Sequence, residues 1–186
     1  MHPEVFEAMS PYLKDCFGNP SSAHQFGRPV KVVMDEVREK IAELLNASPS
    51  EIIFCSGGSE SDNIAIKGVA LSNLNGKKHI VTSQVEHPAV LNTCRVLEKI
   101  GFEVTYIKVD QYGMVNPEEI KKAIKENTVL ISIQHSNNEV GTIQPVEKIG
   151  TIAKERNIFF HTDAVQSFGK IPLNVNDLNV DFLSIS

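Results

Sequence analysis

The sequence predicts an α/β fold in which a mostly parallel sheet carries helices on both faces. Short apolar runs, which are typical of buried strands, alternate with amphipathic segments that are mostly ten or more residues long. Connections of this kind between parallel strands form right-handed crossovers. The size also fits, because 186 residues with 41% hydrophobic residues are enough to bury a real core in one domain or a little more.

The individual elements follow from the spacing of the apolar residues. Helices are predicted where these residues recur at steps of three and four, at 3–12, 29–45, 59–71, 88–100, 117–125 and 146–156. Strands are predicted from short apolar runs at 52–55, 79–82, 104–109, 129–133, 158–160 and 180–185. Turn residues at 18–22 end the first helix, and Pro88 suits the first turn of a later one.

Composition excludes several classes of function. A net charge of -5 provides no broad basic surface, which argues against nucleic acid as a partner. No apolar run approaches the roughly 20 residues of a membrane span, and the first residues lack the pattern of a signal peptide. The cysteines are odd in number, widely spaced and outside any C-x-x-C pattern, at Cys16, Cys55 and Cys94. We therefore expect a cytoplasmic protein in a reducing compartment.

Polar residues follow the strand predicted at 158–160, namely His161, Asp163 and Gln166. Ligands of open parallel sheets bind beyond the carboxyl ends of the strands. An acid in that place indicates a positive group opposite it, either the protonated nitrogen of a pyridine cofactor or a metal ion. A carboxylate keeps a pyridine nitrogen protonated, and the ring then withdraws electrons from the substrate, as pyridoxal phosphate does. The alternative is an aspartate that caps a helix start, with Gln166 in solvent.

Residues 55–63 join a predicted strand to a predicted helix. Gly57 and Gly58 let the backbone approach a ligand closely, and the N-terminus of the new helix suits a phosphate. Taken alone, the segment fits a glycine turn with a serine N-cap better. It lacks the Gly-Lys-Ser/Thr ending of a Walker loop.

Two further loops contain polar residues after strands. His87, before a predicted helix, is able to lie against a flat ring or move protons, although a histidine packed at the helix start is the simpler interpretation. Asn137 and Asn138 are equally compatible with donors to a ligand oxygen and with an Asx-turn. A metal site is a weaker alternative, because its candidate ligands are scattered over three loops: His87, His135, His161 and Asp163.

Together, these segments resemble the cysteine desulfurases of the NifS/IscS type, which are pyridoxal-phosphate enzymes of the class V aminotransferase group with fold type I. The matching segments recur in order over nearly the whole chain, at 19–24, 56–63, 86–87, 137–144, 161–167 and 169–170. Jointly they are specific, although each alone is weak. The resemblance implies a helix at 1–14 that belongs to a small domain. It also implies that 15–186 form part of the large domain that binds pyridoxal 5′-phosphate, incomplete at its C-terminus.

The resemblance also assigns roles at the phosphate of the cofactor. Gly58 and Ser59 would hold this phosphate, and Ser186 matches a serine that contacts it. The chain has Gly-Ser where the family often has Ala-Thr, which keeps a hydroxyl.

Four residues would surround the cofactor ring. His87 would stack on the ring and help in proton transfer, as the one catalytic residue of the set. Asn138 would lie near the ring oxygen and the substrate carboxylate. Asp163 would pair with the ring nitrogen, and Gln166 would bind the ring oxygen.

The departures from the family pattern concern the reaction itself. In the family, the chain continues from the serine that Ser186 matches into a His-Lys motif, whose lysine binds the cofactor covalently. The sulfur-accepting cysteine and the arginine for the substrate carboxylate lie further on, and none of the three cysteines here matches the former. The family pattern also begins with a strand that would come before the position of Met1. We therefore expect the N-terminal part of a larger enzyme, inactive as this chain alone.

The implied activity is removal of sulfur from L-cysteine, which leaves L-alanine and a persulfide for Fe–S cluster or thiolation pathways. The implied partners are a second copy of the chain in a homodimer and a sulfur acceptor such as an Fe–S scaffold. Alternatives are a selenocysteine lyase or other class V enzyme, a non-catalytic dimerisation fragment, and a metal-dependent hydrolase that uses the histidine and aspartate set.

Overall fold

Five parallel strands form one sheet in the computed structural model, which describes residues 1–186. They are β1 (His79–Ser83), β2 (Glu103–Ile107), β3 (Thr128–Ser132), β4 (Phe159–Asp163) and β5 (Phe182–Ser184). Their order across the sheet is β2-β1-β3-β4-β5, and all four pairings are parallel. Every residue of β1 and β3 is buried, as expected for strands covered on both faces.

Seven α-helices accompany the sheet, and two of them belong to a separate unit. The chain divides into residues 1–53 and residues 54–186. The first unit contains α1 (Pro3–Lys14), α2 (Arg28–Leu45) and a 3₁₀ turn at Pro49–Glu51. No residue of α1 is buried, whereas α2 buries Ala42 and Leu45.

The second unit contains the sheet and the other five helices. These are α3 (Gly58–Ser72), α4 (Pro88–Lys99), α5 (Pro117–Ala123), α6 (Val146–Glu155) and α7 (Val175–Leu178). Helices α3 and α4 pack against each other, and α6 packs against α5 and α7. An apolar core joins α3 and α4 to the sheet through Ile66, Ile80, Cys94, Leu97 and Leu130. The predicted fold class is confirmed. No helix combines the length and the apolarity that crossing a membrane requires.

The order of the strands determines where a ligand can bind. From β1 the chain moves outward to β2 and then returns past β1 to form β3 on the other side. Loops that leave β1 and β3 therefore diverge, and a crevice opens between the carboxyl ends of these strands. The segments after β1, β3, β4 and β5 all begin at this edge of the sheet.

Two strand predictions differ from the structure. Residues 52–55 form no strand, because no neighbouring strand pairs with them, and Ile53 is 74% exposed. Strand β4 continues through Asp163, so His161 and Asp163 lie within the strand and not after it. Their backbones pair with Phe182 and Ser184 of β5, which apolar patterning does not reveal because both side chains are polar.

Helix α7 is absent from the prediction because its four residues are too few to show a helical period. The other elements lie within three residues of their predicted bounds at each end. The assignment of residues 1–14 to a small domain and of 15–186 to a large domain remains a prediction.

Gly150 provides a test of how closely α6 packs against α7. A Cβ atom at this position would lie 2.0 Å from the backbone oxygen of Leu178, so Gly150→Ala must push the two helices apart. We expect the substitution to lower the free energy of unfolding by about 1–3 kcal/mol, measured by urea denaturation.

Gly68→Ala is the matched control, because it makes the same change within α3, where a Cβ atom meets nothing within 4 Å. It should raise the free energy of unfolding by up to about 1 kcal/mol. Equal effects of the two substitutions would contradict the close packing of α6 and α7.

Candidate active site

A cavity of about 190 Å³ lies at the carboxyl edge of the sheet. Its wall consists of the start of α3 and the residues at or after the ends of β1, β3, β4 and β5. The lining residues are Gly58, Ser59, Asp62, His87, Gln134, Ser136, Asn138, Asp163, Val165, Gln166 and Ser186. All seven residues predicted from the sequence are among them. The structure thus brings these residues together, while their individual roles remain predictions.

The start of α3 forms one side of the cavity. The helix begins after Gly57, whose φ of +155° suits glycine, and no side chain caps it. A Cβ atom on Gly58 would lie 2.6 Å from Cγ2 of Val165, so glycine permits the helix to start beside the segment that follows β4. The N–H groups of a first helical turn have no partner within the helix. An uncapped N-terminus in a cavity wall is suited to bind an anion.

This geometry excludes the serine N-cap that residues 55–63 suggested, while the binding of a phosphate there remains a prediction. No serine side chain caps α3, because the N-cap residue is Gly57. Glu60, in the first turn, instead accepts a hydrogen bond from the backbone N–H of Ser56, and this bond lowers the pKa of Glu60. The first turn of α3 therefore has no capping side chain, and its residues Gly58 and Ser59 line the cavity.

Asp163 ends β4 and is only 8% exposed. Its Oδ1 accepts a hydrogen bond from the N–H of Val165 at 3.0 Å, which closes a turn after the strand. Burial raises the pKa of Asp163, and the bond from Val165 and the nearby His87 oppose that rise. The acid thus has a structural bond and also forms part of the cavity wall.

His87 likewise has a bond within its own loop. It is the N-cap residue of α4, and its Nδ1 accepts a hydrogen bond from the N–H of Ala89 at 3.1 Å. In the neutral ring the proton must then be on Nε2. Since His87 also lines the cavity, its cap at the helix start is compatible with a role in the site, and that role remains a prediction.

Asn137 and Asn138 differ in their contacts, so the Asx-turn and the possible contact with a ligand belong to different residues. Oδ1 of Asn137 accepts from the N–H groups of Glu139 and Val140, both at 2.9 Å, and its Nδ2 donates to the carbonyl of Val85 at 3.0 Å. Asn137 therefore builds the Asx-turn. Asn138 is exposed and lines the cavity, where its amide remains available to a ligand.

Asp62 is a residue of the cavity that sequence reasoning missed. It is 1% exposed, and its Oδ1 has no hydrogen-bond partner. Burial, followed by the proximity of Asp163, raises its pKa to about 7, while a hydrogen bond with Ser184 opposes the rise. Its position three residues after Ser59 was the available signal, because residues at this spacing share a helix face. Gln134, Ser136 and Val165 were also missed.

His161 lies beside Asp62 but does not neutralise it. Its Nδ1 lies 2.8 Å from Oγ of Ser132, and its Nε2 lies 3.0 Å from Oγ of Ser184. Complete burial lowers the pKa of His161 to about 3. The ring is therefore neutral near pH 7, and its distance of 3.5 Å from Oδ1 of Asp62 is a contact and not an ion pair.

The histidines and Asp163 of the suggested metal set do not converge. Nδ1 of His135 lies 2.7 Å from Oγ of Ser167, His161 is engaged by hydroxyls, and neither ring lines the cavity. No group of three or more His, Cys, Asp or Glu side chains is arranged to hold a metal ion.

Glu86 supports the cavity from behind. It is 5% exposed and accepts hydrogen bonds from Oγ of Ser83 at 2.6 Å and from the N–H of Gln134 at 2.9 Å. Burial raises its pKa to about 8, so the group is mostly protonated at neutral pH. These bonds tie the loop after β1 to the loop after β3 and thereby fix His87 and Gln134 at the cavity wall.

Asp62→Asn should make the chain more stable at pH 8, because it removes a buried acid of raised pKa. The contribution of Asp62 to the stability of the wild type falls as pH rises from about 4, the unfolded pKa, through about 7, the folded one. The variant should therefore gain on the order of 4 kcal/mol above pH 7 and nothing below pH 4. Urea denaturation at several pH values measures this difference. Asp177→Asn, on an exposed side chain, is the control, and a gain independent of pH would contradict the assignment.

Known proteins resemble this chain in sequence over nearly its whole length. The family model for class V aminotransferases matches residues 1–186. A cysteine desulfurase IscS of Dictyoglomus turgidum is 58% identical over 183 residues, which are 98% of this chain and 46% of that protein. A cysteine desulfurase of Homo sapiens is 48% identical over 187 aligned positions, 100% of this chain and 41% of that protein.

Solved structures agree with these relatives. A structure of SspA in complex with cysteine superimposes with a TM-score of 0.97 and 48% identity, covering all of this chain and 54% of that one. A NifS-like protein superimposes with a TM-score of 0.96 and 44% identity, covering 52% of that chain. The chain thus spans about half the length of the relatives it matches, and its fold is that of the pyridoxal-phosphate enzymes of fold type I. On the family match over its whole length, it belongs to the class V aminotransferases.

Proposed function

We propose that this chain holds pyridoxal 5′-phosphate in its cavity and works within a cysteine desulfurase that takes sulfur from L-cysteine and leaves L-alanine. The observation that supports the proposal most directly is the pairing of an uncapped helix N-terminus with a buried carboxylate in one cavity, at Gly58 and Asp163. The named relatives are cysteine desulfurases, and one superimposed structure contains cysteine.

The phosphate would bind at the start of α3. Gly58, Ser59 and Ser186 line this part of the wall, and the phosphate would accept hydrogen bonds from the backbone N–H groups of the first two and from the two serine hydroxyls. A doubly charged phosphate is favoured there because the helix dipole places partial positive charge at the same point.

The ring would lie between His87 and the end of β4. Asp163 would accept the hydrogen bond of the ring nitrogen and keep its proton in place, because its carboxylate is shielded from water. Oε1 of Gln166 accepts a hydrogen bond from Lys170 at 3.1 Å. That bond leaves the NH₂ group of Gln166 to donate to the ring oxygen, and Asn138 would donate from the other side.

When bound, pyridoxal phosphate withdraws electrons from the bonds at the α-carbon of an amino acid. His87 would stack on the ring and use Nε2 to move a proton, since Nδ1 is committed to Ala89. His87 is the histidine that lines the cavity, so this role would fall to it and not to His135 or His161.

We also propose that the chain works as a homodimer. The segment 19–24 matches a part of the family pattern near the dimer interface, and the side chains of Phe17 and Phe26 beside it are 76% and 68% exposed. Large exposed aromatic side chains of this kind favour a protein contact. An Fe–S scaffold as sulfur acceptor and a cytoplasmic location belong to the same proposal, and the three free cysteines fit a reducing compartment. A selenocysteine lyase or another class V enzyme is the alternative for the substrate.

Asp163→Ala should abolish retention of the cofactor. After addition of pyridoxal phosphate and removal of the excess, the wild-type chain should keep a cofactor absorbance band. The variant should bind about 10- to 100-fold more weakly, because a hydrogen bond to a charged group is lost. Asp177→Ala, which removes an exposed acid elsewhere, should retain the band. Equal retention by Asp163→Ala and the wild type would refute this site.

The 186-residue chain alone should release no sulfide from L-cysteine. No lysine lines the cavity to bind the cofactor covalently, and none of the three cysteines lines it to accept sulfur. A sulfide assay with added cysteine and pyridoxal phosphate measures this directly. Cysteine-dependent release of sulfide that Asp163→Ala abolishes would contradict this prediction, because the chain would then need neither a lysine nor a cysteine in its cavity.

A further inference from the structure

We propose that Asp62 is a positioning residue that acts with Asp163 as an acid pair, so that the cavity holds a protonated pyridine ring with two carboxylates and not with one. This inference rests on the proposed function, because it concerns the same cavity and the same ring. It adds a residue to which no role was assigned above and a dependence of ring binding on pH.

The position of Asp62 follows from the packing of α3 against the end of the sheet. Helix α3 contacts β3, β4 and β5, and Asp62 lies on its buried face, in the wall of the cavity. Ser184, which bonds to the Asp62 carboxylate, pairs in register with Asp163. The two acids therefore approach the same point of the sheet edge from different elements, one from the helix and one from β4.

The hydrogen bonds of Asp62 leave the charge on one of its carboxylate oxygens uncompensated. Ser184 bonds to the carboxylate, while Oδ1 is buried and has no partner. A buried polar atom without a partner costs free energy, and a purely structural residue would have both oxygens paired. An asparagine would fill the same volume without the charge, so packing alone does not explain an acid here.

No lysine or arginine lines the cavity to neutralise this pair. His161 on β4 is held neutral by burial, and Ser132 and Ser184 bond to both of its nitrogens. Glu86, behind the cavity, is a third acid whose raised pKa keeps it mostly protonated. His87 faces Asp163 from the start of α4 and lowers the pKa of that acid. The cavity therefore contains two carboxyl groups that a positively charged ring would stabilise.

This arrangement makes the affinity for a cationic ring depend on the ionisation of Asp62. Below pH 6 Asp62 is neutral and contributes little. As pH rises through about 7 the carboxylate forms, and its charge then attracts the ring nitrogen together with that of Asp163. Removal of the Ser184 hydroxyl should move this gain to higher pH, because the hydrogen bond of Ser184 lowers the pKa of Asp62.

The test uses pyridoxine 5′-phosphate, which has the ring and phosphate but no aldehyde to react with lysines. Its affinity for the wild-type chain, Asp62→Asn, Asp163→Asn and Asp177→Asn is measured by calorimetry at pH 5.5 and pH 8. We expect Asp62→Asn to bind about tenfold more weakly than the wild type at pH 8 and equally at pH 5.5. The absorbance of the bound ring should show that its nitrogen loses the proton at lower pH in Asp62→Asn. Asp177→Asn should match the wild type.

Each outcome bears on a separate claim. Equal affinity of Asp62→Asn and the wild type at pH 8, or the same loss at both pH values, would overturn the acid pair while leaving the cofactor site intact. Failure of the wild type to bind, with Asp163→Asn no different, would overturn the proposed function and the acid pair together. If Asp62→Asn is poorly folded, Ser184→Ala replaces it in the test. The acid pair requires that the affinity of this variant rises at a higher pH than that of the wild type, and an unchanged pH dependence would overturn it.

Discussion

The pairing of β4 with β3 on one side and β5 on the other is the constraint on which the candidate site depends. It aligns His161 with Ser132 and Phe182, and Asp163 with Ser184. His161 and Asp163 are two residues apart and so point to the same face of the sheet, where α3 packs. Without this register, the hydroxyls that bond to His161 and the helix that supplies Asp62 would not meet the end of β4. A mutation in the pairing would therefore disturb the site without touching it.

Acidic side chains lie at one end of the cavity and an uncapped helix N-terminus lies at the other, which restricts the kind of ligand that fits. Three acids at its wall or behind it have raised pKa values, at Glu86, Asp62 and Asp163. The start of α3 provides the opposite polarity through its unpaired N–H groups. A ligand that satisfies both ends must have a cation near β4 and an anion near α3. Pyridoxal phosphate has both in one small molecule, which a metal ion or a simple phosphate does not.

Sequence patterns predicted the alternation of elements and several residues at the sheet edge, because both follow from hydrophobic periodicity and from the rule for parallel sheets. Ser59, Ser186 and the individual roles came only from the resemblance to the cysteine desulfurases. They failed where pairing partners decide the outcome. Residues 52–55 are apolar but have no neighbouring strand, while His161 and Asp163 are polar and yet lie within β4. Asp62 escaped notice for a related reason: in the sequence it is one polar residue among several at the start of a helix, and only its burial makes it unusual.

The structural and the functional interpretations of a polar residue turned out to be compatible, and the hydrogen bonds explain why. Nδ1 of His87 accepts from Ala89, which leaves the proton on Nε2, and Oδ1 of Asp163 accepts from Val165. Each bond uses one polar atom of the side chain and thereby orients the other. A helix cap or a turn therefore does not argue against a role in the site, because the same bond holds the remaining atom in position. Asp62 differs from these two residues: Ser184 bonds to its carboxylate, and its Oδ1 is buried without a hydrogen-bond partner, 3.5 Å from Nε2 of His161. Its charge would therefore act on a ligand across the cavity wall and not by direct contact.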